Sequence, residues 1–287
     1  MYAVAGVTGQ TGAAVARALL EAGAPVRVIV RRADAGAPWR AQGAAVAVAD
    51  LADAAALTSA LAGTQGAYLL NPPRYVLADP FAEAQRVGAA FAEAIAASRV
   101  PRVVVLSSVG AHQPAGTGVI GTTRRIEQAL AAVAAPVVFL RASYFFENWT
   151  NVLPAARGDG VLPAFLTPLD RSVPMVPVAD IAAAVVGLLR GAPWTGHRVV
   201  ELASFDASPT DVAAALAGAL GKPVNPIAVP HDQWKGILQG AGFRGEIAAA
   251  FVAMYDGINA GVVAAQPGTE RVRGGSSLAD AARALVG

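Results

Sequence analysis

The chain has 287 residues, of which 55% are hydrophobic and 15% charged, with a net charge of +2 and no cysteine. This length predicts one large α/β domain or slightly more, and the apolar content excludes a disordered chain. Without cysteine there are no disulfides or cysteine metal sites. The three histidines have no metal-ligand spacing, so no metal is predicted, and the small dispersed charge argues against nucleic-acid binding.

The mean hydropathy of +0.48 raises the question of a membrane protein. The best uncharged stretch of about 20 residues, the length that a bilayer needs, is 54–73. It contains several polar residues and two prolines and would span a membrane poorly. The N-terminus also lacks the basic segment of a signal peptide. We therefore expect a soluble, cytoplasmic protein without a membrane partner.

Short β-branched runs alternate with helical stretches up to about residue 141, which predicts a parallel sheet with helices on both faces. Strands are predicted at residues 2–5, 26–30, 45–48, 66–70, 102–106 and 137–140. Helices are predicted at residues 11–22, 53–62, 80–98 and 119–133. The fold class is therefore α/β, a doubly wound Rossmann sheet.

Proline and glycine punctuate the chain after residue 140, and residues 148–178 are predicted to make a long irregular excursion over the carboxyl edge of the sheet. The later predicted elements are a helix at 179–189, a strand at 198–202, a helix from Ser208, and further segments at 224–229, 231–240 and 245–258. We expect a cofactor-binding domain at residues 1–150. A smaller C-terminal α/β substrate lobe is expected at 151–287, with parts near 173–203 returning to the main sheet.

A glycine turn lies between the first strand and the first helix, and its predicted contact residues are Gly6, Thr8, Gly9, Gln10, Thr11 and Gly12. A strand, a glycine turn and a helix in this order bring backbone N–H groups to one point, which is typical of a diphosphate site. The second strand ends in Arg31 and Arg32. Arginine at this position suits the 2′-phosphate of NADP, so NADP(H) is the predicted cofactor. The alternative is a solvated strand end, and Asp34 is expected to cap the following helix.

Further strand ends are predicted to line the same crevice, because ligands bind outside the carboxyl ends of parallel strands. The additional predicted cofactor contacts are Asp50, Leu51, Leu70, Asn71, Pro72, Pro73, Ser107, Ser108, Tyr144 and Phe145. Two alternatives stay open. Asp50 could cap a helix over 52–62, and Asn71-Pro72 could be a simple turn.

The usual acid of short-chain dehydrogenases is missing from this sequence. In those enzymes a serine after the fifth strand is followed by a Tyr-x-x-x-Lys motif, whose tyrosine gives a proton to the carbonyl oxygen. Ser107 and Ser108 are present, but no tyrosine occurs between Tyr75 and Tyr144, and the two lysines lie far away in the C-terminal lobe. If a proton donor is needed, the candidates near the strand ends are Ser107, His112 and Tyr144.

The motifs together resemble the NmrA-like family of atypical short-chain dehydrogenases. They are Gly6-x-x-Gly9-x-x-Gly12, 26–31, 48–51, 105–110, 126–130, 139–141 and 145–148. The segment from 221–224 through Trp234 to 254–258 is similar to the NAD(P)H:quinone and triphenylmethane reductases of that family. Where many members carry a lysine, this chain has Thr122 and Thr123. The neighbouring Arg124 and Arg125 are interpreted as a solvated helix face.

The resemblance implies an NAD(P)H-dependent oxidoreductase, and the missing acid favours direct hydride transfer to a quinone, an enone or an aromatic dye-like acceptor. Such acceptors spread the charge over their own π system and need little acid help. An apolar or aromatic small molecule is the expected partner. Its predicted contacts are Tyr144, Asn148, Trp149, Phe165 and Trp234, although packing in the core is the alternative for aromatic residues.

Two other functions stay open. NmrA-like proteins include non-catalytic NADP(H)-binding redox sensors, and the missing acid is compatible with that role. A reductase of one specialised metabolite is the second alternative. A homodimer is also compatible with the resemblance, and it would pair through the predicted helices at 80–98 and 119–133.

Overall fold

A computed structural model describes residues 1–72 and 79–287 of the chain. Its strands are β1 Tyr2–Val4, β2 Val26–Val30, β3 Ala45–Val48, β4 Gly66–Leu69, β5 Val103–Ser108, β6 Val137–Ala142, β7 Tyr144–Phe145, β8 Val161–Ala164, β9 Val173–Val176, β10 His197–Ala203, β11 Phe205–Ala207, β12 Asn225–Ala228 and β13 Glu270–Arg273. Its helices are α1 Gln10–Glu21, α2 Ala37–Ala41, α3 Ala54–Leu61, α4 Pro80–Ser98, α5 Gly121–Leu130, α6 Leu153–Gly158, α7 Val178–Arg190, α8 Pro209–Leu220, α9 His231–Gly240, α10 Gly245–Asn259 and α11 Leu278–Val286.

The main sheet has eight parallel strands in the order β13-β10-β6-β5-β4-β1-β2-β3. The chain runs outward from β1 to β3 and then returns to place β4 on the other side of β1. This reversal creates a crevice at the carboxyl ends of β1 and β4, where doubly wound sheets bind ligands. The predicted Rossmann fold is confirmed, and the predicted strand at 198–202 pairs with β6 as part of β10.

Helices cover both faces of the sheet. α1 packs against α7 on one face, and α4 packs between α3 and α5 on the other. The sequence of α4 explains its placement, since its buried residues Ala84, Val87, Phe91, Ala94 and Ile95 recur every three or four positions. The strands between the helix layers are apolar on both faces, as in the fully buried run from Val103 to Val105. Within the described ranges, no helix has the length and apolarity needed to cross a bilayer.

The second half of the chain combines predicted elements, such as α8 after Ser208 and β12 within 224–229, with strands and helices that the sequence pattern did not predict. β9 pairs in parallel with β7 and antiparallel with β11, forming a small sheet, while β8 pairs with β12. α8 and α11 pack together beside them. β13 joins the outer edge of the main sheet beside β10. The predicted helix at 119–133 is shorter, because a 3₁₀ turn at Gly118–Ile120 precedes α5.

Candidate active site

The glycine turn between β1 and α1 has a backbone that larger residues could not adopt. Gly6 has a φ of +70°, and a Cβ there would lie 2.5 Å from Cδ2 of Leu70. A Cβ at Gly12 would lie 2.4 Å from the carbonyl oxygen of Ala5. Gly9 precedes α1 without a side-chain cap on the first turn, and it is exposed together with Thr8 and Gln10. The turn can therefore present backbone N–H groups and a helix N-terminus to a diphosphate.

The two arginines after β2 differ in their contacts. Both are exposed, but the Arg32 guanidinium forms an ion pair with Asp34, with Nε donating to Oδ1 at 3.0 Å. The hydrogen bond from Arg32 lowers the pKa of Asp34 to about 2. The expected helix cap is not observed, because Asp34 lies inside a 3₁₀ turn at Ala33–Gly36. Within the described ranges no carboxylate pairs with Arg31, so its guanidinium differs from that of Arg32 in having no acidic partner.

The ends of β3 and β4 contribute an exposed carboxylate, buried apolar side chains and a half-buried amide to the crevice. Asp50 is exposed, and its Oδ1 accepts the N–H of Ala52 at 3.0 Å, whereas α3 is capped by Asp53. Leu51 is buried, and the Leu70 side chain closes on Gly6. Asn71 is half-buried, and its Oδ1 has no hydrogen-bond partner among the described residues. Pro72 is half-buried, while the predicted contact Pro73 lies outside the described residues.

A cleft of about 310 Å³ opens at the carboxyl ends of β4, β5 and β6, with β7 and α10 forming further walls. Its walls are largely apolar. The predicted site residues in its walls are Leu70, Asn71, Ser107, Ser108, Tyr144, Phe145 and Asn148. Among the described residues that form these walls, Tyr144 is the only one with an ionisable side chain.

The hydroxyl groups of both serines donate hydrogen bonds to acceptors within the protein. Ser107 Oγ donates to Oε1 of Glu127 at 2.6 Å, and Ser108 Oγ donates to the carbonyl of Val109 at 3.0 Å. Arg141 donates hydrogen bonds to both side-chain oxygens of Glu127, from Nε at 2.9 Å and from Nη2 at 2.7 Å. Such a bidentate pair fixes the geometry of the carboxylate. Ser107 therefore offers lone pairs rather than a proton to the cleft.

Tyr144 is the remaining hydroxyl donor among the candidates in the cleft walls. Its Oη lies 3.5 Å from that of Tyr255, and burial raises the pKa of both phenols, that of Tyr144 well above its ordinary value. Burial disfavours the phenolate, so Tyr144 stays protonated near neutral pH. It can donate a hydrogen bond to a bound acceptor but gives up its proton reluctantly.

His112 lies outside the walls of the cleft. Its carbonyl accepts a hydrogen bond from Nη1 of Arg124 at 2.6 Å, and its ring Nδ1 is buried without a partner in the described part of the chain. Burial and the nearby Arg141 lower the pKa of His112.

Arg124 is half-buried by its contact with this loop, while Arg125 packs over Phe81 at 4.7 Å from the ring centroid. The interpretation of these two arginines as a solvated helix face is therefore wrong.

Three predicted substrate contacts form an aromatic cluster behind the cleft. Trp149 is buried with its ring 6.3 Å from that of Tyr144. Phe165 stacks on Trp234 with centroids 5.1 Å apart, and both rings pack against Tyr255. Trp234 Nε1 donates to the carbonyl of Val229 at 2.8 Å. The structure thus places Tyr144 and Asn148 in the cleft walls, Trp149 beside Tyr144, and Phe165 and Trp234 beside Tyr255.

Several residues of the cleft walls were not predicted from the sequence. They come from α5 and the turn before it, from β9 and from α10: Val119, Ile120, Thr123, Val173, Pro174, Phe251, Met254 and Ile258. The spacing of Phe251, Met254 and Ile258 is that of one helix face. That stripe was visible in the sequence, but only the folded chain shows that it faces the cleft.

Comparison with known proteins gives consistent matches along the whole chain. A model of the NmrA-like family matches residues 2–283. An NAD(P)H azoreductase from Xenophilus azovorans is 27% identical over 263 residues, covering 89% of this chain and 86% of that protein. A (4-alkanoyl-5-oxo-2,5-dihydrofuran-3-yl)methyl phosphate reductase from Streptomyces griseus is 31% identical over 226 residues, covering 78% and 75%.

Two solved structures have the same fold. The Citrobacter sp. triphenylmethane reductase complexed with NADP(H) has a TM-score of 0.81 at 20% identity, covering 99% of this chain and 100% of that one. The NADPH-dependent quinone oxidoreductase of Escherichia coli complexed with NADPH has a TM-score of 0.75 at 25% identity, covering 100% of both chains.

Proposed function

Because the chain belongs to the NmrA-like family, we propose that it reduces a conjugated acceptor by direct hydride transfer from NADPH, without a Tyr-x-x-x-Lys acid. The acceptor is a quinone, an enone or an aromatic dye-like compound. The family resemblance stated from the sequence is confirmed, and the chain is an NAD(P)H-dependent oxidoreductase like its named relatives.

The residues around the crevice fit NADP(H). The glycine turn is tight, because a Cβ at Gly6 or Gly12 would clash with Leu70 or with the backbone of Ala5 and Gly6, and the first turn of α1 has no side-chain cap. We assign the diphosphate to this turn, the 2′-phosphate to Arg31, and a polar group near the nicotinamide ribose to Asn71, whose Oδ1 lacks a partner among the described residues. When bound, the reduced nicotinamide supplies the hydride.

The observation that carries the proposal is the chemistry of the cleft walls. Tyr144 is their only ionisable side chain in the described ranges, and its raised pKa makes it a poor acid. Neither lysine is close. Lys222 Nζ binds the carbonyls of Arg157 and Gly158, and Lys235 lines a shallow surface depression beside His231 and Asp232. The walls therefore favour binding and alignment, which can supply about 7–11 kcal/mol of the barrier.

A panel of acceptors tests the proposal through the absorbance of NADPH. We expect turnover of 1,4-naphthoquinone, of an unsubstituted cyclic enone or of a cationic triphenylmethane dye, and none of cyclohexanone, whose alkoxide needs an acid. Reduction of cyclohexanone at a comparable rate would contradict direct transfer without an acid. Tight NADPH binding without turnover of any acceptor would instead favour the redox sensor.

Tyr144→Phe separates a hydrogen-bonding role from acid catalysis. The substitution removes the one ionisable group of the described cleft walls and keeps the ring. We expect kcat for the best acceptor to fall by less than about tenfold, since general acid catalysis contributes about 10²–10⁴. A loss in that larger range would make Tyr144 the acid. Tyr2→Phe, at the amino end of β1, is the matched control.

A further inference from the structure

A second cavity continues the cleft along the carboxyl edge of the sheet. It has a volume of about 310 Å³ and lies at the ends of β10 and β13. Val109, Ser143 and Pro174 line both spaces, so they share a wall. In the strand order β13 and β10 lie on the far side of β5 and β6 from the glycine turn. The second cavity therefore adjoins the cleft on the side away from the glycine turn.

The outer wall of this cavity carries two unpaired cations. Arg271 and Arg273 of β13 line it and are exposed. No carboxylate in the described ranges pairs with either guanidinium, and the remaining residues, 73–78, include no acid. The nearby Arg198 differs, because it binds both carboxylate oxygens of Glu270 at 2.9 and 2.7 Å. Two free guanidinium groups beside a cavity favour an anionic oxygen group, which arginine binds through paired hydrogen bonds.

Two acids in the same cavity limit where an anion can lie. Glu201 is 4% exposed, and its Oε1 accepts the N–H of Gln266 at 2.9 Å and lies 3.7 Å from Nη1 of Arg141. Its Oε2 is buried without a hydrogen-bond partner in the described part of the chain. A ligand group next to the inner wall should therefore be a hydrogen-bond donor. Asp206 is an exposed member of the rim. An anion is thus repelled from the inner wall and attracted to the arginines at the outer one.

We propose that this second cavity binds an anionic substituent of the acceptor, a phosphate, sulfonate or carboxylate, held by Arg271 and Arg273. This inference rests on the proposed function, because the conjugated ring of the same molecule occupies the cleft. The cleft walls in the described ranges contain no cationic side chain. The two spaces therefore divide recognition of the acceptor between an apolar part that aligns the ring and a cationic part that selects the substituent.

The test compares two acceptors that share one ring system, 1,4-naphthoquinone and 1,4-naphthoquinone-2-sulfonate. The variant is Arg271→Gln with Arg273→Gln. The control is Arg99→Gln with Arg190→Gln, which removes the same charge at the amino end of the sheet, before β5 and β10. We expect the ratio of kcat/KM for the sulfonate to that for the neutral quinone to fall about tenfold in the variant, through KM, and to stay constant in the control. Comparing each variant with the wild type cancels the difference in reduction potential between the quinones.

An unchanged ratio in the variant, or an equal fall in the control, would overturn the proposal. If neither quinone is reduced, the proposed function fails, and calorimetric titration of 1,4-naphthoquinone-2-sulfonate into the protein with NADP⁺ tests the cavity separately. Binding that weakens in the variant but not in the control supports the anion site. Absence of binding, or equal binding by wild type and variant, overturns it.

Discussion

Asp34 lowers the net positive charge at the end of β2, where we propose that the 2′-phosphate of NADPH binds. Its carboxylate is paired with Arg32, and this bond keeps its pKa near 2, so the charge is present throughout the neutral range. The carboxylate both occupies one arginine and repels a 2′-phosphate. Asp34→Asn is therefore expected to lower the Kd of NADPH about two- to fivefold, the size of an exposed ion-pair effect, with a smaller change for NADH.

Calorimetric titration of both cofactors checks this expectation. Asp159→Asn is the matched control, because Asp159 is also exposed but follows α6, outside the predicted cofactor residues. Equal changes in the affinities for NADPH and NADH would mean that Asp34 does not act on the 2′-phosphate. Weaker NADPH binding in Asp34→Asn would show instead that the Arg32–Asp34 pair is itself needed for binding.

The N-terminus of α7 depends on a carboxylate from another segment. The helix follows Pro177, which offers no side-chain cap, and Oε1 of Glu147 accepts the N–H of Val178 at 2.9 Å. Oε2 of Glu147 is buried without a partner among the described residues. Burial raises the pKa of Glu147, an effect that the Val178 N–H opposes and the charge of Asp180 reinforces. The hydrogen bond from Val178 therefore links the 3₁₀ turn at Phe146–Val152 to α7 through the side chain of Glu147, whose charged form is disfavoured by burial.

Glu147→Gln keeps the acceptor oxygen and removes the titration. The pKa of Glu147 is higher in the folded state than in the unfolded state. Its contribution to the free energy of unfolding is therefore complete below the unfolded-state pKa and is lost as the pH rises through the folded-state pKa. In urea titrations, the free energy of unfolding of the wild type, relative to Glu147→Gln, is expected to decrease as the pH rises through the raised pKa of Glu147. Glu93→Gln, at an exposed position of α4, should show no such trend. A wild type that gains stability over the variant with rising pH would contradict the assignment.

The elements that the sequence predicted differ physically from those that it did not. The first three residues of β5, Val103 to Val105, are buried on both faces and form an apolar run, while α4 has a clear 3.6-residue pattern. β13 has the sequence Glu-Arg-Val-Arg, and all four residues are exposed. An edge strand of this kind is specified by its pairing with β10 rather than by its own composition. The second cavity therefore could not be predicted, because β13 supplies its outer wall.

A row of polar residues that no local pattern predicts runs across four of the eight strands of the main sheet. Ser107, Arg141, Glu201 and Arg271 occupy matching positions on β5, β6, β10 and β13. Glu127 of α5 joins the row by binding both Ser107 and Arg141. Ser107 lies in the cleft walls at the end of its strand, but its partner Glu127 lies 20 positions away on a helix. Only the strand register and the packing of α5 bring these charges together.

Arg141 is the residue on which this row depends. It is 5% exposed and neutralises Glu127, which is 12% exposed, and it also faces the buried Glu201. Removing it leaves two carboxylates without their cation in a region shielded from water. Arg141→Leu is therefore expected to lower the free energy of unfolding by about 3–5 kcal/mol, the usual cost of breaking a buried pair from one side.

Arg198→Leu provides the matched comparison on the neighbouring strand. Arg198 and Glu270 also approach to 2.7 Å, but their side chains are 35% and 45% exposed, so water screens the pair. We expect a loss of about 0–1 kcal/mol there. Urea unfolding of both variants followed by circular dichroism gives the comparison directly. Equal losses would show that the buried row stabilises the fold no more than a surface ion pair does.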